Sequence, residues 1–126
     1  MRKYLPHIKA PAIAVIILVL SLSDAGTVAR PVYRIIPHAD KMFHLIMYFA
    51  LTIVMMYQYR HLLLKTVNVL IIVIVAFAYG VTIELMQKYL TTSRSFEYAD
   101  ILFNLAGIAL ATGVYFSVRF LFRLNR

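Results

Sequence analysis

Uncharged apolar runs separated by short polar breaks set the pattern of this chain. Three of them, Met42–Tyr59, Thr66–Ile83 and Ile101–Val118, are 18 residues long if His44 is neutral. Each makes about 27 Å of helix at the α-helical rise, close to the ~30 Å hydrocarbon core of a bilayer. The runs are continuous and do not alternate, which excludes the strands of a membrane β-barrel. A fourth run, Ala10–Ser23, is shorter; Leu5 and Ile8 extend it, with Lys9 reaching back to the headgroups. The pattern predicts an all-α, polytopic membrane protein: four transmembrane helices in a small bundle, near residues 8–23, 41–59, 65–88 and 99–120. The whole of 1–126 reads as one domain, with no internal repeat or low-complexity tract.

Between the first two runs, Gly26, Pro31 and Pro37 break the loop Asp24–Ala39. Its Val32, Tyr33, Ile35 and Ile36 suit a segment lying at the membrane interface. The first run also fits a signal peptide, because Ser21 and Ser23 stand at −3 and −1 of a possible cut before Asp24. Cleavage there would leave the rest of the topology unchanged.

Composition strengthens the membrane reading. The chain is 63% hydrophobic, against roughly 45–50% in an average soluble domain. So small a core cannot hide that surface, so lipid must solvate much of it. No cysteine is present, which excludes disulfides, thiolate metal sites and cysteine nucleophiles. The net charge of +8 is not arranged as a basic amphipathic helix or a basic-aromatic surface, so nucleic acid is not an expected partner. Instead, Arg2, Lys3, Lys9, Arg60, Lys65, Arg119, Arg123 and Arg126 fall on one side of the predicted topology with no acid. Arg30, Arg34, Lys41, Lys88 and Arg94 fall on the other, with every acid of the chain. The positive-inside rule then puts both termini in the cytoplasm.

Polar residues inside the apolar runs are where chemistry is expected. Asp40, His44 and Tyr48 are four apart and share one stripe of the second helix, with Lys41 beside them. Gly80, Glu84 and Gln87 share a stripe of the third, continued inward by Ala76. Asp100, Asn104, Gly107 and Ala111 share a stripe of the fourth. Small residues four apart (Ala76 and Gly80, Gly107 and Ala111) let membrane helices approach closely, which would bring the polar tips together. His44, Glu84 and Asn104 are expected at one depth, one turn in, below a rim of Asp40, Gln87, Arg94 and Asp100, with Tyr48 hydrogen-bonding from below.

Plainer roles fit several of these residues. Asp40 and Asp100 suit helix N-termini, Asp100 pairing with Arg94. Asn104 and Gln87 suit interhelical hydrogen bonds, worth about 0.6 kcal/mol on average in a membrane. Tyr57, Tyr59 and Tyr115 suit an inner aromatic belt and Tyr33, Tyr89 and Tyr98 an outer one. Glu84 is the hardest to assign a structural role, since the third helix offers it no partner below. Ionisable groups kept inside a membrane usually mark a site, and the set is read as a binding pocket.

In order, Asp40-Lys41-x-x-His44-x-x-x-Tyr48, Glu84-x-x-Gln87, Arg94, Asp100, Asn104 and Gly107 resemble the VanZ-like family of bacterial integral membrane proteins. The resemblance spans roughly residues 37–113. It implies a multi-pass protein of the bacterial cell (inner) membrane working on the cell envelope. The family takes its name from an accessory protein linked to resistance against the glycopeptide teicoplanin, and its members are generally without an assigned activity.

The favoured expectation is a binding module. Its outer-facing pocket would hold the headgroup of a membrane lipid, a lipid-linked envelope precursor or an amphiphilic glycopeptide, with Arg94, Lys41 and Lys88 meeting phosphate or carboxylate. The competing expectation is a membrane-embedded enzyme, with His44 and Glu84 as base and orienting partner or joined by Asp40 and Asp100 in a metal site. Against it, the chain has no His-x-x-x-His or Glu-x-x-His helix pair and no evident nucleophile, so no cofactor or metal is expected. Transport is disfavoured, because the inner halves of the helices are almost free of polar groups.

Overall fold

A computed structural model describes residues 7–23, 35–92 and 95–124. These residues form four helices: α1 (Lys9–Leu22), α2 (Ala39–Gln58), α3 (Thr66–Leu90) and α4 (Tyr98–Leu124). The last three are long and apolar enough to cross a membrane. The first is apolar but only 14 residues long, about 21 Å of helix against a core of ~30 Å. It therefore falls short of the full span expected for it. Pro11 stands in its first turn, where a missing N–H costs nothing, and Ser23 leaves the helix in an extended conformation. Ile8 precedes the helix instead of lengthening it.

Despite its length, α1 is built into the bundle against α2 and α3. Ile17 and Ser21 are buried, Tyr79 Oη donates to the Ala14 carbonyl at 2.5 Å, and Ala10 N donates to Gln58 Oε1 at 2.9 Å. In a lipid surrounding, such hydrogen bonds fix where a helix docks, because apolar contact alone discriminates poorly between protein and acyl chains.

The α2 helix starts on a strained residue. His38 precedes it with φ of 62°, a left-handed conformation that costs a non-glycine residue about 1–2 kcal/mol. The His38 carbonyl accepts from Lys41 N at 3.1 Å and Met42 N at 3.2 Å, so the turn is closed from its first residues. Asp40 lies inside the first turn and is not the capping residue. At the other end of α2, the basic turn folds against α4: Leu63 is buried and Arg119 Nη1 donates to its carbonyl at 2.9 Å.

Contact between α2 and α4 is the tightest in the bundle. A Cβ on Gly107 would collide with the Leu45 carbonyl oxygen and lie 3.0 Å from Phe49 N, so the two backbones touch there. Ile108 and Ala111 are buried on the same face, and Ala76 of α3 closes the layer with Tyr48 and Leu51 of α2. A second apolar group, Met56, Leu63, Val69, Ile72 and Tyr115, fills the end near the basic turn. Outward faces such as Val67, Leu70, Ile74, Leu102 and Leu110 stay exposed, as lipid-facing residues do.

Gly107→Ala is expected to force α2 and α4 apart and lower stability by about 2 kcal/mol or more, at the upper end of overpacking costs. At Gly113, a Cβ would meet nothing within 4 Å. Alanine should be tolerated there with no loss, since it favours helix over glycine by ~1 kcal/mol. Thermal unfolding of both variants in detergent checks the contrast; equal effects would contradict this packing.

Candidate polar site

At the end of the bundle opposite the basic turn, helical periodicity stacks polar side chains on the inward faces of α2, α3 and α4. His44, Glu84 and Asn104 are all buried, at 3%, 0% and 1% exposure. Asn104 Oδ1 lies 3.0 Å from His44 Nδ1. A carboxamide oxygen only accepts, so the contact is a hydrogen bond in the tautomer that carries its proton on Nδ1. Glu84 Oε1 lies 3.4 Å from the same nitrogen. On the other side of the ring, Nε2 lies 3.9 Å from Asp100 Oδ2. The imidazole thus joins α2 to α3 and α4 at once, with a carboxylate facing each of its nitrogens.

Above this buried layer sits an ionic rim. Lys41 Nζ bonds to Glu97 Oε2 at 2.9 Å and lies 3.4 Å from Asp40 Oδ2 and 3.7 Å from Asp100 Oδ1. The ammonium is therefore engaged by three carboxylates. Lys88, in the last turn of α3, is exposed and stands over the Tyr89 ring at 5.5 Å. Arg94 lies outside the described residues. Among those described, acids outnumber bases at this end.

Two glycines set how tightly the layer closes. Gly107 lets α4 reach the α2 backbone one turn below the imidazole. Gly80 makes room for side chains instead: a Cβ there would lie 3.1 Å from Asn104 Nδ2 and 3.2 Å from Tyr48 Cε1. Tyr48 is fully buried under this layer, with its ring 6.4 Å from that of Tyr79. Its hydroxyl and Asn104 Nδ2 have no hydrogen-bond partner among the described residues. Ala76 and Ala111 lie buried deeper on α3 and α4.

Gln87 takes a different direction. It is buried on α3 three residues beyond Glu84, but its Nε2 donates to the Ser21 carbonyl of α1 at 2.9 Å. It fastens the short first helix and does not meet the imidazole. Two participants escaped sequence reasoning. Glu97 sits in the irregular connection before α4, where no periodicity marks it. Ser21 contributes only a main-chain oxygen, which no residue type announces.

What this arrangement can do follows from its groups. A buried imidazole flanked by carboxylates can hold a proton, accept one, or share a cation with them. The carboxamide fixes the ring orientation, as partners of functional histidines commonly do. Asn104→Leu should remove the acceptor at Nδ1 and shift the His44 ring ¹⁵N resonances, with His38 and His61 unmoved. Identical His44 signals in wild type and variant would contradict the contact.

The same four-helix chain matches a known family. A family model described as VanZ/LLP1 matches residues 6–122, from before α1 to near the end of α4. Neither the curated proteins nor the solved structures give a significant match. With nearly its whole length covered, the chain belongs to the VanZ/LLP1 family.

Proposed function

We propose that the protein is a multi-pass inner-membrane protein whose polar end faces outward and binds the headgroup of an envelope amphiphile. The observation that carries the reading is the layering of that end: a charged rim of Asp40, Lys41, Glu97 and Asp100 over buried His44, Glu84 and Asn104. Beside the rim, Met42, Phe43, Leu102 and Leu105 present exposed apolar surface on which acyl chains can lie. An amphiphile offers both parts of that complement, and the candidates are a membrane lipid, a lipid-linked precursor or an amphiphilic glycopeptide. Glycopeptide resistance is one biological setting for such binding.

Orientation is supported by the far end. Arg60, Arg119 and Arg123 surround a hollow of about 420 Å³ there, with Tyr57 and Tyr115 at 6.1 Å from ring to ring. Basic residues of that kind meet anionic cytoplasmic headgroups, each worth about 1 kcal/mol. Both termini then lie in the cytoplasm.

Because Lys41 is already held by three acids, it engages the headgroup by exchange of these ion pairs, alongside hydrogen bonds from the buried layer. One observation favours a second reading: an imidazole with a carboxylate at each ring nitrogen is also the equipment of a general acid–base enzyme acting on a lipid.

Native mass spectrometry of protein released from lipid nanodiscs tests the first reading. Lys41→Ala and His44→Ala are expected to weaken retention of an envelope amphiphile by about tenfold, the scale of a lost charge-assisted hydrogen bond. Arg123→Ala, at the far end, should leave it unchanged. Equal retention by all three would refute the proposed site, and turnover of the lipid would favour the enzyme.

A further inference from the structure

We infer that Arg119 and Arg123 of α4 hold the phosphate of one anionic phospholipid at the basic end, its acyl chains entering the hollows on either side. The two arginines are four apart, so they share a face in the last two turns of α4. On one side of them lies the hollow of about 420 Å³ that Tyr57, Tyr115 and Phe122 line. On the other lies a second hollow of about 360 Å³, lined by Val69, Phe116 and Phe120. Arg119 and Arg123 border both. A charged head between two apolar tails matches that plan.

Depth places the pair among the headgroups. Asp40 and Asp100 both lie close to Lys41 Nζ, so the first turns of α2 and α4 are level. About five turns further on stand Gln58, where α2 ends, and Val118, where α4 continues. Arg119 and Arg123 therefore lie on the part of α4 that runs past the end of α2. With 27 residues, α4 is about 40 Å long against a hydrocarbon core of ~30 Å, so its last turns reach the phosphate layer.

Charge decides what fits there. Asp40, Glu84, Glu97 and Asp100 belong to the opposite end, and Asp24 follows α1 where that helix ends beside Gln87. These are all the acids of the chain. Among the described residues none pairs with Arg60, Arg119 or Arg123. Residues 1–6 and 125–126, which flank the described residues in sequence, add bases and no acid. Arg119 is already oriented, because one N–H goes to the Leu63 carbonyl at 2.9 Å and leaves the rest of the guanidinium for a phosphate. A guanidinium fork matches two phosphate oxygens at once. The ammonium of a zwitterionic lipid meets no acidic side chain here, so lipids without one are preferred.

The apolar walls favour a lipid over a soluble phosphate. Phe120 and Phe122, one on each side of the arginine pair, are 62% and 70% exposed. A soluble anion leaves both rings uncovered, whereas acyl chains cover them. Lys65 offers a comparison within the same basic region. It is exposed and charged but lines neither hollow.

This site stands whatever the polar end binds. The test releases full-length protein from nanodiscs made of equal parts phosphatidylglycerol and phosphatidylethanolamine, and weighs the retained lipid by native mass spectrometry. One phosphatidylglycerol per chain is expected, favoured over phosphatidylethanolamine by about tenfold. Arg123→Ala should cut its retention by about tenfold, the scale of a lost charge-assisted hydrogen bond. Arg123 is exposed, so its removal leaves the fold intact. Arg119→Lys, which keeps the charge and loses the fork, should lower retention as well. Lys65→Ala should change it by less than about threefold, the scale of an exposed charge. Equal losses in Arg123→Ala and Lys65→Ala would reduce the site to a diffuse basic surface and overturn it. So would equal retention of the two lipids, displacement of the adduct by millimolar inorganic phosphate, or an adduct lost in Lys41→Ala but kept in Arg123→Ala.

Discussion

Everything at the polar end depends on one buried contact, the His44 imidazole held between Asn104 and Glu84. In a membrane, helices gain little by hiding apolar surface from one another, because acyl chains solvate leucine as well as protein does. A buried polar group is different: it must find a partner inside the protein or lose its hydrogen bonds altogether. By placing one such group on each of α2, α3 and α4 at the same depth, the chain specifies which faces meet. The close backbone approach at Gly107 is the steric counterpart of that demand, since it brings α4 within reach of the imidazole.

The two ends of the bundle are built on different principles. Near the basic turn, packing is apolar, around Met56, Leu63 and Tyr115, and the charges spread outward as Arg60, Arg119 and Arg123. At the polar end, charges turn inward: among the described residues, Asp40, Glu97 and Asp100 share the Lys41 ammonium, and Glu84 and Asp100 lie on either side of the His44 imidazole. The short α1 helix lies against this machinery through Gln87 and Tyr79, so it takes part in the bundle without contributing a side chain to the cluster.

Much of this is legible in the sequence because helical spacing is a strong constraint. Asp40, His44 and Tyr48 share a face in any α-helix, as do Asp100, Asn104 and Gly107, and the lengths of the apolar runs set the ends of α2, α3 and α4 to within a few residues. Depth can be counted from those ends, which is why His44, Glu84 and Asn104 fall on one level. Spacing has nothing to say where the chain is irregular or where main-chain atoms act. Glu97 precedes α4, and Ser21 offers a carbonyl, so neither carries a periodic signal. Gln87 lies at the edge of its stripe, and its direction is decided by where α1 docks. The length of α1 is hidden for a related reason: an apolar residue beside a helix, such as Ile8, looks the same in sequence as one inside it.

A thermodynamic double-mutant cycle across His44 and Glu84 tests the central contact most directly. His44→Leu, Glu84→Leu and the double variant would be unfolded reversibly in mixed micelles alongside the wild type. A contact that joins α2 to α3 predicts a coupling energy of about 1 kcal/mol or more, toward the high end for polar pairs in membrane helices. Purely additive losses, with no coupling beyond experimental error, would contradict it.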